Sequence, residues 1–193
     1  MARPMPAGLN RRTFLAGGAA LASATALGMA AEPRDDFSFL ALGDTHFDRL
    51  EHHDMRWLAA EHPGDVAQVQ HYSEHAATLL PQLLKTVADQ CRRSAPSVDC
   101  LVHVGDLVEG LCGQADLASK HCRDALTFLE QAELGVPLLL TKGNHDVTGP
   151  GAAEAYRDEL LPYLGRQVND RLTSARYAVR RRDCLFVMYD SYE

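Results

Sequence analysis

Long apolar runs are scarce in this 193-residue sequence. The longest, Phe14 to Ala30, is diluted by Ala, Gly, Ser and Thr. It falls short of the about 20 residues that cross a bilayer, which argues against a stable membrane span. Positive charge is scarce too. The formal charge is −7, and without residues 1–30, which carry Arg3, Arg11 and Arg12, 16 basic residues face 26 acidic ones, a balance of −10. Such a surface repels polyanions, so general nucleic-acid binding is not expected. Phosphate esters stay open as substrates if metal ions supply positive charge locally. Repeats and low-complexity tracts are missing, and none of the five cysteines shows a zinc-finger spacing. What is present is a globular composition, 46% apolar and 23% charged, on a chain long enough for one domain with a sizeable core.

The first 31 residues stand apart. Asn10-Arg11-Arg12-Thr13-Phe14-Leu15 leads into the mildly apolar run, and Gly28-Met29-Ala30-Ala31 offers small side chains to a peptidase. This resembles a twin-arginine export signal, a route for folded proteins. Residues 1–31 are therefore expected to be a signal peptide, with the twin-arginine export machinery as a partner and a periplasmic or extracellular destination. An oxidising compartment permits disulfides. Cys112 and Cys122 are close enough in sequence to pair, while Cys91, Cys100 and Cys184 sit in apolar runs and suit small core positions.

Along the rest of the chain, apolar strands alternate with amphipathic helices. Strands are expected at 37–42, 98–104 and 136–140, and a hairpin at 177–181 and 184–189. Residues 48–72 are polar and broken by Pro63-Gly64, so they suggest a long loop with some helix. Leu79, Leu80, Leu83, Leu84, Val87 and Cys91 recur at helical spacing, with Pro81 as a kink or a first-turn residue. Ala115, Ala118, Cys122, Ala125, Leu126 and Leu129 do the same, and a further helix is expected near 152–161. The alternation predicts an α/β fold with a mainly parallel sheet. Functional residues then belong in the loops after the strands.

Each of those loops carries a polar cluster. Gly43-Asp44-Thr45-His46 spaces a carboxylate and an imidazole by one residue, which on extended chain would point both the same way. Together they suit iron, manganese or zinc. Gly105-Asp106-Leu107-Val108-Glu109 brings a carboxylate to the sheet edge, where it could bridge two cations or merely cap a helix. Gly143-Asn144-His145-Asp146 adds an amide oxygen for a metal, a proton donor, and an acid that could orient the imidazole of His145. This last tetrapeptide arises by chance in only about one chain per thousand of this size, so it carries the most weight.

In this order, after successive strands, the three loops resemble the calcineurin-like metallophosphoesterase family. Its pattern runs Asp-x-His, Gly-Asp-x-x-[Asp/Glu], Gly-Asn-His-[Asp/Glu]. The resemblance covers residues 36–193. It implies the first half of a layered α/β/β/α sandwich. It also implies two metal ions (Fe, Mn, Zn or Ni), with Asp44 and His46 on the first, Asp106 bridging and Asn144 on the second. His145 would contact the phosphate or protonate the leaving group, supported by Asp146. The implied activity is hydrolysis of phosphate mono- or diesters by a bridging hydroxide.

The family pattern continues with further histidines, ending in Gly-His-x-His, whereas His145 is the last of the nine here. The expectation is therefore of a truncated domain that binds metal weakly and turns over slowly. The alternative is an inactive fragment or binding module retaining a partial metal site. The remaining histidines are expected to play lesser parts: His52, His53, His62, His71 and His75 solvated or supporting, His103 in the core, His121 on a helix surface.

Overall fold

In a computed structural model, residues 37–93 and 97–190 are described. The expected signal peptide lies outside them. Three short strands, β1 (Phe39–Leu42), β2 (Cys100–His103) and β3 (Leu138–Leu140), form one parallel sheet in the order β1-β2-β3. Phe39 pairs with Cys100 and Leu101 with Leu138, so all three strands point their carboxyl ends at the same edge. Parallel strands need crossovers, and the helices supply them.

The segment expected to be mostly loop is mostly helix. After a 3-10 turn at Leu50–His52 come α1 (Met55–Glu61) and α2 (Val66–Thr78). Asp54 starts α1 by accepting from the amides of Arg56 and Trp57, which a count of polar residues could not reveal. Pro63-Gly64 separates the two helices instead of marking an open loop. Helix α3 (Leu80–Arg93) begins with Pro81 in its first turn, where the missing N–H costs nothing. It buries Leu80, Leu84, Val87 and Ala88, one stripe at helical spacing. Helix α4 (Ala115–Gln131) buries Ala118, Cys122, Ala125, Leu126 and Leu129 the same way. The last helical stretch runs longer than expected: α5 (Ala152–Ala155), a π turn (Tyr156–Leu160) and α6 (Leu161–Val168), stopped by Asn169 in the left-handed conformation.

Alternation on the sheet defines the layers. Leu101, Leu138 and Leu140 join the core formed with Leu84, Leu126, Leu129, Leu160 and Leu164 of the helices. Cys100 and Leu139 point to the other face and pack with Val179 and Met188 of the antiparallel hairpin β4 (Tyr177–Arg181) and β5 (Cys184–Met188). The result is helices, parallel sheet, then hairpin. Residues buried on both faces explain why β3 reads as an uninterrupted Leu-Leu-Leu. Side chains cap the outer edge of β3: Gln167 accepts from the Leu138 amide, and the Tyr177 hydroxyl accepts from the Leu140 amide while donating to its carbonyl. All five cysteines are free thiols, so the possible Cys112–Cys122 bridge is not formed.

Candidate metal centre

The three loops meet beyond the carboxyl edge of the sheet. Loops one and two run side by side: the Asp44 amide donates to the Gly105 carbonyl, His46 to Asp106 and Phe47 to Leu107. The expectation of an extended Asp-x-His is corrected. Asp44, His46 and Asp106 all have positive φ, 51°, 41° and 52°. These left-handed turns, not a strand's period of two, aim the side chains together. Asp106 caps no helix, since the next helix begins only at Ala115; its Oδ1 instead accepts from the His145 amide at 2.9 Å.

Glycine is demanded where loops two and three touch. A Cβ on Gly105 would lie 2.9 Å from the Gly143 Cα, and one on Gly143 would lie 2.2 Å from the Asp106 carboxylate. The Gly-Asp and Gly-Asn pairs are thus two halves of one backbone contact.

Asp146 clamps that contact. Its buried carboxylate accepts from the amides of Asp106 (3.1 Å), Leu107 (2.8 Å), Val108 (3.1 Å) and Gly143 (2.8 Å). The expected hydrogen bond from Asp146 to the His145 imidazole is therefore absent, because both oxygens are committed to backbone. His145 Nδ1 faces the Glu109 carbonyl at 2.9 Å instead. Burial pushes the Asp146 carboxyl up to about 6, while the amides pull the other way. At the base of loop three, Lys142 forms an ion pair with buried Asp190, just beyond β5.

Ligand atoms of Asp44, His46 and Asp106 lie within 4.8 Å of one another, and those of His46, Glu109 and His145 do likewise. Asn144, exposed, sits between Gly143 and His145 at the start of a 3-10 turn (His145–Val147). Glu109 was legible in the second motif but carried no role there. It is fully buried, with Oε2 2.6 Å from His46 Nδ1 and Oε1 accepting from Gln68 at 3.2 Å. Burial lowers the His46 pKa, but the Glu109 hydrogen bond and the charges of Glu109, Asp106 and Asp44 outweigh it, so the net shift is upward. Tyr72 of α2 stacks on the His46 ring at 4.5 Å and 16°. Gln68 and Tyr72 show α2 walling the site, a feature hidden while the segment read as loop.

The donor set fits a divalent metal. With Nδ1 held by Glu109, His46 keeps Nε2 for a cation, the carboxylate–histidine–metal arrangement that orients ligands. Carboxylates and imidazole together suit iron, manganese or zinc better than calcium.

The other histidines divide differently from the expectation. His62 is half-buried, and His71 and His75 are exposed. His103 is in the core as expected, donating toward Thr45 Oγ1 at 3.0 Å and accepting from the Gly105 amide at 3.3 Å. His52, His53 and His121 are not solvated; all three are buried, because Asp124, Asp48 and the carbonyls of Leu111 and Phe47 give their ring nitrogens partners.

A carboxylate–imidazole cluster on the loop edge of a parallel sheet, layered between helices and a hairpin, defines a metal-binding α/β protein of the phosphoesterase type. The family model for calcineurin-like phosphoesterases matches residues 37–188, and the chain belongs to that family. No curated protein matches the sequence.

Proposed function

We propose that this chain carries a two-metal centre for hydrolysis of phosphate mono- or diesters. The observation behind this reading is the convergence of Asp44, His46 and Asp106 on one point, with Glu109 and His145 beside it. Asp44 and His46 would hold one metal, Asp106 would bridge to a second, and Asn144 would bind that second ion. Bound there, the ions would supply positive charge to the phosphoryl oxygens and activate water near neutral pH. The protein's own groups do the rest. Glu109 fixes the His46 ring, and Asp146 locks loops two and three together through four amides. His145, held at Nδ1 by the Glu109 carbonyl, presents Nε2 to donate a proton to the departing alkoxide.

Residues 147–193 contribute no histidine. The second reading, a binding module with a partial metal site, therefore predicts metal binding without turnover. Mn²⁺ titration followed by electron paramagnetic resonance, paired with hydrolysis of p-nitrophenyl phosphate and its bis ester, separates the two. Turnover that requires metal and Asp106 favours the enzyme. Binding alone favours the module, and metal binding that survives Asp106→Asn unchanged sinks both. For location, the Arg11-Arg12 pair supports export by the twin-arginine route. Fusing residues 1–31 to a reporter active only outside the cytoplasm tests it, with Arg11→Lys, Arg12→Lys as the control that must fail.

A further inference from the structure

Two residues beyond His46 the chain enters a second cluster. Asp48, His52 and His121 are each no more than 1% exposed, and one ligand atom from each lies within 4.8 Å of the others. None of the three belongs to the motifs above. We propose that they form a second, sealed metal site for a zinc-class divalent cation.

The orientation of His52 carries the argument furthest. Its Nε2 lies 2.9 Å from Asp124 Oδ2, so the carboxylate selects the tautomer with the proton on Nε2. Nδ1 is then a bare lone pair. It is buried, has no hydrogen-bond partner among the described residues, and faces Asp48 Oδ1 at 3.9 Å, too far for a hydrogen bond. Two electron-rich atoms facing each other in a dry interior are repulsive, and a cation between them reverses that sign. A ligating histidine whose other nitrogen donates to a carboxylate is the recurrent arrangement around protein-bound zinc.

The remaining groups are prepared in the same way. Asp48 is held by Ser73 Oγ at 2.6 Å on Oδ2 and by His53 Nε2 at 2.7 Å on Oδ1. His121 stacks on His52 at 4.5 Å and places Nε2 3.5 Å from Asp48 Oδ1. Without metal, Nε2 donates to the Phe47 carbonyl at 2.6 Å and Nδ1 meets Cys112 Sγ at 3.3 Å. On binding, the imidazole retains one proton, on Nδ1 toward Cys112, and its Nε2 pair goes to the cation. The single proton of the neutral ring thus moves from Nε2 to Nδ1, so none is released and nothing is oxidised. Two imidazoles and one carboxylate select zinc, cobalt or nickel over magnesium or calcium. The ion would tie residues 48–52 to α4 directly and to α2 through Ser73, a structural task.

The test uses the full chain carrying Asp44→Asn and Asp106→Asn, which disable the sheet-edge cluster. After chelation, Zn²⁺ is restored, excess is removed by gel filtration, and retained zinc is measured with its X-ray absorption spectrum. The expected result is about one zinc per chain with two imidazoles in its shell, falling at least about tenfold in His52→Gln. If circular dichroism shows that His52→Gln does not fold, Asp124→Asn decides, since it keeps every ligand. It should weaken affinity about 10–100-fold against a chromophoric chelator. The proposal is overturned if the folded background protein retains less than about a tenth of an equivalent of zinc. It is equally overturned if fewer than two imidazoles surround the ion, or if affinity is unchanged in the folded His52 or Asp124 variants.

Discussion

Two histidine–carboxylate clusters share the stretch from Asp44 to His53, and they are built on opposite terms. At the sheet edge, Asp44 is exposed, Asp106 and His145 are half-buried, and Asp44, His46 and Asp106 hold left-handed backbone. In the interior, Asp48, His52 and His121 are sealed, and none has positive φ. A left-handed non-glycine residue costs about 1–2 kcal/mol, and these three, two in the first loop and one in the second, are held by backbone hydrogen bonds between those loops. Left-handed backbone therefore gathers at the more open cluster, His46 being its one buried strained residue. The interior cluster has none.

The largest expected effect separates function from stability at the open cluster. Asp106→Asn removes a ligand charge but retains an oxygen for the His145 amide, so the fold should survive. Metal-dependent ester turnover should fall by more than about 100-fold, beyond what loss of an outer partner produces. Circular dichroism and chelator-controlled kinetics read the two properties. A protein that unfolds, or that keeps its rate, breaks the contrast between a strained working edge and a stable interior.

Asp146→Ala should do the reverse and strike stability. Four amides lose their acceptor, two of them buried (Leu107, Val108) and two half-buried (Asp106, Gly143). At about 1–3 kcal/mol for each stranded donor, less relaxation and water entry, a loss on the order of 3–5 kcal/mol is expected in urea denaturation. A loss under about 1 kcal/mol would show that the clamp between loops two and three is dispensable.

His103 lies beneath the edge and sharpens the comparison through pH. Burial holds its pKa down at about 4 against an ordinary 6.5, and its Nδ1 must stay unprotonated to accept from the Gly105 amide. The unfolded chain therefore takes up this proton first. Stability from the group is complete above about 6.5 and drains as pH falls toward about 4, by about 3 kcal/mol at about 1.4 kcal/mol per unit. Urea midpoints of metal-free protein from pH 7.5 to 4.5 measure it. His103→Asn, which keeps an acceptor but does not titrate, should flatten that part of the slope.

How much of this was legible depended on whether the signal was local. The strands were readable because β1, β2 and β3 are apolar runs ended by polar loops, and the three motifs because each is contiguous. Helices α1 and α2 were not, since their apolar faces are sparse: α1 buries only Leu58, and α2 only Val69, Ser73 and Ala76. Asp146 was found but misassigned, because spacing cannot tell an adjacent imidazole from four amides folded in from another loop. His121 was mistaken for a surface residue because its partners, Phe47 and Asp48, lie more than 70 positions away. A polar residue on a helix face looks solvated until the tertiary fold supplies its partner.

The smallest effect tests whether the two clusters obey one rule. Glu109 stands to His46 as Asp124 stands to His52: each carboxylate takes one ring nitrogen, at 2.6 Å and 2.9 Å, and leaves the other free. Glu109→Gln keeps the size and the contact with Gln68 but removes the charge, which should lower Mn²⁺ affinity about 10–100-fold without unfolding the chain. It should also bring down the raised pKa of His46, because the Glu109 hydrogen bond and charge are the largest influences holding it up. Nuclear magnetic resonance titration of the His46 ring in metal-free protein follows that shift. A weaker metal site with an unmoved His46 would mean that Glu109 acts by packing alone, and the analogy between the two clusters would fail.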